Sequence, residues 1–312
     1  MIKVRLFCAI LASAFLPSPT GAAATEPCYT RFYQTKTAAC LDSLTDTIPG
    51  LKPNPNDPSD HSNAEAVVGF LAVIFADLPQ EKARLLHKDG IAAVKSLYVE
   101  ALYRSGLPQD AKAYAEANGL ADIFRRYQDQ DLGTIKTVAP NSLPSDNDFL
   151  IGAYMASGDV EYIRRILANF TNADEASARD AIRMGLMNGK FGGTLAPPGR
   201  DRTMVNELCM KYECKNNLRR FMHVATLASA FWALRSLAQQ DQGIHKTYDD
   251  FFQGDVRLKN LLVEEQAAFS NYVTLLVAYS AIKDSPNINA SLLVYEKLGS
   301  AQDAADAMRS KH

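Results

Sequence analysis

Apolar side chains recur at spacings of three and four residues along most of the chain after residue 62, which is the period of an amphipathic helix. The clearest stretch runs from residue 80 to residue 105. Its apolar positions are Ala83, Leu86, Ile91, Val94, Leu97, Tyr98, Ala101 and Leu102. No run of residues shows the strict alternation of apolar and polar positions that a half-buried strand requires. The pattern therefore predicts an all-α fold of antiparallel helical hairpins, arranged as an irregular α-solenoid or as a bundle.

Proline, glycine and capping residues set the boundaries of the predicted helices. Asp146 or Asn147 is expected to cap the helix that follows residue 147, and a turn is expected at Gly243. The predicted helices are residues 28–47, 63–78, 80–105, 108–119, 121–127, 148–156, 160–170, 173–187, 202–212, 215–240, 256–269, 271–282, 287–298 and 301–310.

Three stretches of the chain have the composition of loops. Residues 48–62 hold four prolines among Asn and Asp, residues 131–147 are largely polar, and residues 189–202 combine glycines with a double proline. We therefore expect an N-terminal helix with a Pro-rich linker over residues 25–62, and a helical domain over residues 63–312. That domain could be subdivided near residues 131–147 or 189–202.

The first 24 residues have the three regions of a secretory signal peptide. Lys3 and Arg5 form a basic start, residues 6–16 are apolar, and small residues at Ala22 and Ala24 fit the cleavage pattern. The apolar run has 11 residues, whereas a spanning helix needs about 20. We expect cleavage near Ala24 and a periplasmic or secreted protein. The later apolar stretches are also too short to cross a bilayer, so no transmembrane segment is predicted.

The charge balance argues against two classes of partner. Without Lys3 and Arg5 the chain keeps 31 basic against 35 acidic residues, a net charge of −4. A nucleic-acid-binding domain usually carries a basic excess, and a protein that binds anionic lipid carries a polybasic patch. Neither feature is present in the sequence. The composition therefore argues against nucleic acid and against anionic lipid as partners, without naming a partner in the cell envelope.

Four cysteines remain after the signal peptide: Cys28, Cys40, Cys209 and Cys214. An even number in an oxidising compartment predicts two disulfides. Pairing of nearest neighbours is the first interpretation, and it requires a break inside each segment because an unbroken helix would hold the partners too far apart. If the helices are continuous, the pairs must be long-range. A zinc site built from all four is the remaining alternative, although the spacings match no common zinc motif.

A local unit occurs three times: an apolar helix with a tyrosine near its end, a glycine turn, and a second amphipathic helix. Its glycines are Gly106, Gly158 and Gly299. The unit resembles the helical hairpins of tetratricopeptide-type repeat proteins, although no 34-residue period emerges. Residues 148–167 are also similar to a segment of exported bacterial helical proteins. The resemblance implies stacked helix pairs with a concave surface for a protein or peptide, which Tyr103, Tyr154 and Tyr162 would help to line.

Catalytic chemistry has few candidates in the sequence. It has no HExxH or GxSxG motif, and no signature for a cofactor or a metal ion. His223 lies within the longest predicted helix and could act as an acid or base in a cleft. The loop at residues 189–202 carries Arg200 and Arg202, which could form a lid or an anion-binding rim.

Three functional hypotheses follow from these observations. The first is an exported, non-catalytic helical scaffold that binds a protein or peptide. The second is an envelope hydrolase with its cleft near His223 and the loop at residues 189–202. The third is a structural component of the envelope. A closed polar pocket around His223 would favour the enzyme, whereas an open groove would favour the scaffold.

Overall fold

The computed structural model describes residues 28–48, 64–88, 90–130, 133–139, 143–191, 209–214 and 218–282. The predicted signal peptide, most of the Pro-rich linker and the helices predicted after residue 282 lie outside these ranges. The described residues are mainly helical and include no β-strand, which confirms the all-α prediction. After a 3-10 helix at Cys28–Arg31, the α-helices are α1 (Phe32–Thr35), α2 (Ala38–Thr47), α3 (Glu65–Asp77), α4 (Pro79–Leu86), α5 (Ala92–Arg104), α6 (Pro108–Ala117), α7 (Ala121–Gln130), α8 (Pro144–Ser157), α9 (Glu161–Asn172), α10 (Glu175–Phe191), α11 (Leu218–Ala238), α12 (Gln242–Gly254) and α13 (Val256–Ile282).

Helix α12 is absent from the sequence prediction, which placed only a turn at Gly243. The helix begins because the side chain of Asp241 accepts hydrogen bonds from the backbone N–H groups of Gly243 and Ile244. Its buried residues, Ile244, Tyr248 and Phe252, follow at intervals of four. This is the apolar stripe of an amphipathic helix, interrupted in the sequence by charged residues on the exposed face.

Other boundaries also differ from the prediction. The stretch predicted as one helix over residues 80–105 forms two helices, α4 and α5, on either side of Gly90. Helix α8 begins at Pro144, with Leu143 at the N-cap, so the predicted caps Asp146 and Asn147 lie inside the helix. Proline fits the first helical turn because its missing N–H has no partner there in any case. Helix α13 continues from Val256 to Ile282, where the sequence predicted two helices divided at residue 270. Neither Ser270 nor Asn271 is a strong enough helix breaker to end it.

The described residues divide into two compact units between Asn169 and Phe170. The division falls inside α9, between the loops at residues 131–147 and 189–202. Unit 1 therefore contains α1 to α8 and most of α9, and unit 2 contains α10 to α13. Among the described residues, no helix is both long and apolar enough to cross a membrane.

Unit 1 is built around the contact between α3 and α8. Helix α3 is buried along nearly its whole length, from Ala66 to Phe75. A methyl group placed on Gly69 would lie 1.8 Å from the carbonyl oxygen of Phe149 in α8, and one placed on Gly152 would lie 1.8 Å from the carbonyl oxygen of Ala66 in α3. The two glycines thus allow the helix backbones to touch where any side chain would hold them apart.

The first cysteine pair joins the N-terminal segment of unit 1 to itself. Cys28 and Cys40 form a disulfide with a Cα–Cα distance of 5.6 Å. The break that this local pairing requires is present at Lys36, which has a left-handed backbone with φ of 47° between α1 and α2. Phe32 then packs edge-on against Phe70 of α3, with 5.3 Å between ring centres. The disulfide therefore ties a segment that is anchored on the central helix.

The second cysteine pair is also local. Cys209 and Cys214 form a disulfide with a Cα–Cα distance of 4.7 Å. Glu213 has a left-handed backbone with φ of 48°, which turns the chain so that the N–H of Cys214 reaches the carbonyl oxygen of Cys209 at 2.8 Å. Both pairs are nearest neighbours in sequence, as the first interpretation predicted, and cysteines joined in disulfides leave no thiolates to bind zinc.

The glycines of the first two recurring units end their helices as the sequence predicts. Gly106 and Gly158 have positive φ values of 86° and 76°, a conformation that favours glycine at the end of a helix. Helices α5 and α6, which flank Gly106, pack against each other. The third unit, at Gly299, lies outside the described residues. The resemblance to tetratricopeptide repeats remains a prediction.

Unit 2 is held by an aromatic cluster and by a second close helix contact. Phe252 packs against Phe170, Phe231 and Tyr248, with ring centres 4.7–5.7 Å apart. A methyl group on Gly185 of α10 would lie 2.5 Å from the ring of Phe231 in α11. The small residue therefore gives the ring the space it occupies at the centre of the unit.

Replacing Gly152 with alanine tests the contact that organises unit 1. The added methyl group overlaps the backbone of α3, so we expect Gly152→Ala to lower the free energy of unfolding by about 3 kcal/mol. Urea denaturation followed by circular dichroism measures the change, and hydrogen exchange localises it to α3 and α8. Gly90→Ala is the matched control, because its methyl group would meet its nearest neighbour, Val94, at 3.6 Å. Equal stability of the two variants would contradict the proposed backbone contact.

Candidate functional site

The three tyrosines proposed from the sequence lie in unit 1 and contact different partners. Tyr154 is buried, with its ring centre 5.5 Å from that of Tyr33. Tyr103 is half-buried and packs edge-on against Phe124. Tyr162 is half-buried, with the guanidinium of Arg165 5.9 Å from its ring centre. None of the three lines either of the two clefts described below.

The loop proposed as a lid is only partly within the described residues. Helix α10 continues to Phe191, so the first residues of the predicted loop are helical. Arg200 and Arg202 lie outside the described residues.

His223 lies half-buried on α11 and has a carboxylate in its surroundings. Burial would raise the pKa of Asp174, but hydrogen bonds from Ser177 and the positive charges of Arg220 and His223 lower it overall. The sequence showed no carboxylate paired with His223. In the structure the Asp174 carboxylate lies close enough to the imidazole of His223 for an electrostatic interaction. His223 nevertheless lines neither cleft.

The larger cleft belongs to unit 2 and has a volume of about 750 Å³, within the range of ~300–1,000 Å³ that is typical of ligand sites. It lies where the end of α11, the start and middle of α12 and the middle of α13 come together. Its lining includes five glutamines: Gln239, Gln240, Gln242, Gln253 and Gln266. We call it the glutamine cleft.

The sequence places these glutamines through local structure. Gln239 and Gln240 follow the end of α11, and Gln242 is the first residue of α12, directly after the capping Asp241. Gln253 lies near the end of α12 and Gln266 on α13, and both are exposed. Each side-chain amide carries two donor hydrogens and an acceptor oxygen, so the cleft presents a dense set of neutral hydrogen-bonding groups.

Apolar and charged side chains complete the glutamine cleft. Leu262 and Val263 contribute from α13, and Val263 is 58% exposed although it is apolar. Arg235, Asp241, His245 and Asp249 supply the charged side chains and the imidazole. The imidazole Nε2 of His245 lies 3.4 Å from Asp249 Oδ2, one helical turn further along α12.

Tyr248 lies beneath the glutamine cleft. Its hydroxyl is buried and has no hydrogen-bond partner among the described residues, which costs free energy in a folded protein. Burial raises the pKa of Tyr248, with the negative charge of Asp249 adding to the effect and Arg235 opposing it. The hydroxyl thus lies close enough to Arg235 and Asp249 for their charges to affect its pKa.

A second, smaller cleft of about 480 Å³ lies in unit 1 between α6 and α7. Its charged residues are already in contact with their own neighbours. Lys112 Nζ lies 3.9 Å from Glu116, and Arg125 forms an ion pair with Asp122. The smaller cleft therefore presents fewer free groups to a ligand than the glutamine cleft does.

Unit 1 also buries a charged cluster around Arg104 of α5. Its guanidinium Nη1 lies 2.9 Å from Glu65 Oε2 and 3.6 Å from Glu100 Oε1, and the Arg104 and Glu100 side chains are only 4% and 3% exposed. Nε of Arg104 donates to the carbonyl oxygen of Gly133 at 3.1 Å. The guanidinium carbon lies 3.6 Å from the ring centre of Phe149. This set of side chains is the Arg104 cluster.

Carboxyl groups outnumber cations in the Arg104 cluster, and their protonation is shifted accordingly. Burial and the charge of Glu100 raise the pKa of Glu65 well above its usual value, although Arg104 acts in the opposite direction. The charge of the neighbouring Asp148 also acts on Glu65, and burial together with the charge of Asp146 raises the pKa of Asp148 itself to about 7. Asp148 therefore exchanges its proton near neutral pH, and the protonated form of Glu65 is favoured. Shifted pKa values occur at functional sites and also in ion-pair networks that only stabilise a fold. Neither cleft reaches this cluster, which favours the structural interpretation.

Metal ligation has no support in the described part of the chain, where no group of three His, Cys, Asp or Glu side chains could hold an ion.

The residues that the sequence did not reveal are those of the glutamine cleft, because their arrangement depends on α12. A signal was available in the run Gln239-Gln240-Asp241-Gln242, which places three amides around a capping aspartate.

Replacing Asp148 tests the electrostatics of the Arg104 cluster. The ordinary pKa of Asp is about 3.9, so the folded state binds more protons than the unfolded state between about pH 4 and pH 7. The free energy of unfolding therefore falls as pH rises through that window. We expect Asp148→Asn to remove this contribution and to gain about 1–2 kcal/mol over the wild type between pH 4 and pH 8, since the partly exposed carboxyl is screened by solvent.

Urea midpoints measured across this pH range for both proteins check the expectation. Asp129→Asn, which changes an exposed carboxyl on α7, is the control and should keep the wild-type pH dependence. Parallel pH profiles for wild type and Asp148→Asn would show that the Asp148 carboxyl is not linked to folding.

Comparison with known proteins adds no family to this description. No protein-family profile, curated protein or solved structure matches the chain. The site is therefore interpreted from its geometry alone.

Proposed function

We propose that the protein is an exported, non-catalytic helical binding protein that holds a segment of a polypeptide partner in the glutamine cleft. Export rests on the predicted signal peptide and is supported by two cysteine pairs at disulfide distance, which fit an oxidising compartment. The periplasm or the cell exterior is the corresponding location.

The observation that carries the binding function is the concentration of five glutamine amides in one cleft of about 750 Å³. A glutamine side chain has the same hydrogen-bonding groups as a peptide bond, so it can donate to a main-chain carbonyl and accept from a main-chain N–H. Several such amides can bind an extended main chain without demanding particular side chains, as peptide-binding sites do.

A polypeptide fits the cleft better than a carbohydrate does. Sugar rings are usually held by stacking on an exposed aromatic face. The aromatic side chain in the lining, Tyr248, is only 6% exposed, and its hydroxyl is buried. The apolar surface that the cleft does expose comes from Val263, which suits an aliphatic side chain of a peptide.

The hydrolase alternative requires a polar pocket around His223. Asp174 lies near enough to His223 and to Arg220 to interact electrostatically with each, but His223 lines neither described cleft. Within the glutamine cleft, the His245–Asp249 pair lies on the exposed face of α12, and no serine, threonine or cysteine nucleophile belongs to the lining. We therefore place the binding function first.

Site-specific photo-crosslinking in the native envelope tests this proposal. A photoreactive amino acid is introduced at Gln253 or Gln266, both exposed in the cleft lining, and in a control at Lys259, which is exposed on α13 outside it. We expect the two cleft positions to crosslink to the same polypeptide and the control position to give none of that product. Crosslinks of equal yield at all three positions, or no polypeptide product from the cleft positions, would contradict the proposal.

A further inference from the structure

The charged groups of the glutamine cleft are not equally available to a ligand. Asp241 caps α12 through its hydrogen bonds to Gly243 and Ile244, at 2.8 Å and 3.0 Å. Asp249 faces His245 at 3.4 Å. Arg235 makes no ion pair or side-chain hydrogen bond with any residue that the structure describes. Among the charged side chains of the lining, the guanidinium is thus the one left open to a partner.

We infer that Arg235 receives a carboxylate of the bound polypeptide, so that the partner segment is recognised by an acidic side chain or by a C-terminal carboxylate. This inference rests on the proposed function and specifies its ligand. A guanidinium presents five N–H donors in a planar fork and can bind both oxygens of one carboxylate.

The position of Arg235 favours this role. The residue lies in the last turn of α11, where the negative partial charge of the helix end is favourable for a cation. Its side chain is half-buried, so an ion pair formed there is less screened than one on an open surface. The buried hydroxyl of Tyr248 lies close to Arg235, whose positive charge lowers the pKa of Tyr248 and so opposes the effect of burial.

The neighbouring amides explain why a peptide would supply the carboxylate. Gln239 follows Arg235 by one turn, and Gln242 lies beyond the capping aspartate. Both are exposed and belong to the same lining. An anion without amides of its own would use only the guanidinium, whereas a peptide carboxylate would be flanked by main-chain groups that these amides can bind.

The experiment uses the full mature chain and two synthetic libraries of random peptides, one with a free C-terminal carboxylate and one amidated. Peptides retained by the wild-type protein and by Arg235→Gln are identified by mass spectrometry, and the affinities of the selected sequences are measured by fluorescence anisotropy. Arg235→Lys keeps the positive charge but loses the planar set of N–H donors that can bind both oxygens of a carboxylate. Arg164→Gln is the matched control, since it removes an exposed arginine of α9 that lies outside the cleft and faces Glu161.

We expect peptides selected by the wild type to be enriched in carboxylates and to bind Arg235→Gln about tenfold more weakly, the loss of one charge-assisted contact. Arg235→Lys should retain part of the affinity, and Arg164→Gln all of it. Enrichment of Asp and Glu among the peptides retained from both libraries would identify a side-chain carboxylate. Retention of peptides from the free-carboxylate library alone would identify the C-terminal carboxylate.

Two results would overturn the inference, and they are distinguishable. If selected peptides lose binding in a Gln253→Ala, Gln266→Ala double variant but carry no excess of Asp or Glu and are retained equally from both libraries, the peptide cleft stands and the role of Arg235 is wrong. If no peptide is retained, or if an oligosaccharide binds instead, the proposed function fails as well. Unchanged urea midpoints for the Arg235 variants show that loss of binding does not come from loss of folding.

Discussion

The backbones of α3 and α8 touch at Gly69 and Gly152, and the arrangement of charges in unit 1 follows from that contact. Ala66 and Phe149 provide the carbonyl oxygens against which the glycines lie. Glu65 and Asp148 precede these two residues in the chain, so the crossing brings two carboxyl groups together inside the unit. Arg104 pairs with one of them and covers the ring of Phe149. A buried ion pair of this kind contributes little net stability, but leaving one member unpaired would cost several kcal/mol.

The two units use polar groups in different ways. In the Arg104 cluster the charged side chains are buried and engage one another, with burial holding protons on carboxyls near neutral pH. In the glutamine cleft the polar groups line an open surface, and five of them are neutral glutamine amides. The first arrangement specifies a packing, whereas the second leaves hydrogen-bonding capacity for a ligand. This difference is why the binding function is placed in unit 2.

Sequence patterns predicted what depends on local chemistry. The helical period, the glycine turns at Gly106 and Gly158 and the nearest-neighbour cysteine pairs depend on residues close together in the chain. The Arg104 cluster joins α3, α5 and α8, and no pattern within one helix could reveal that Glu65 meets Arg104. The cleft was missed because Gly243 suggested a turn, while the Asp241 cap and the four-residue spacing of Ile244, Tyr248 and Phe252 determine a helix.

The most direct test of the central claim is hydrogen exchange on the protein alone and saturated with the polypeptide captured from the cleft positions. Binding in the glutamine cleft should slow exchange in backbone amides at the end of α11, along α12 and in the middle of α13, and leave α3 and α8 unchanged. Protection confined to unit 1, or to the surroundings of His223, would place the functional site elsewhere and contradict the account.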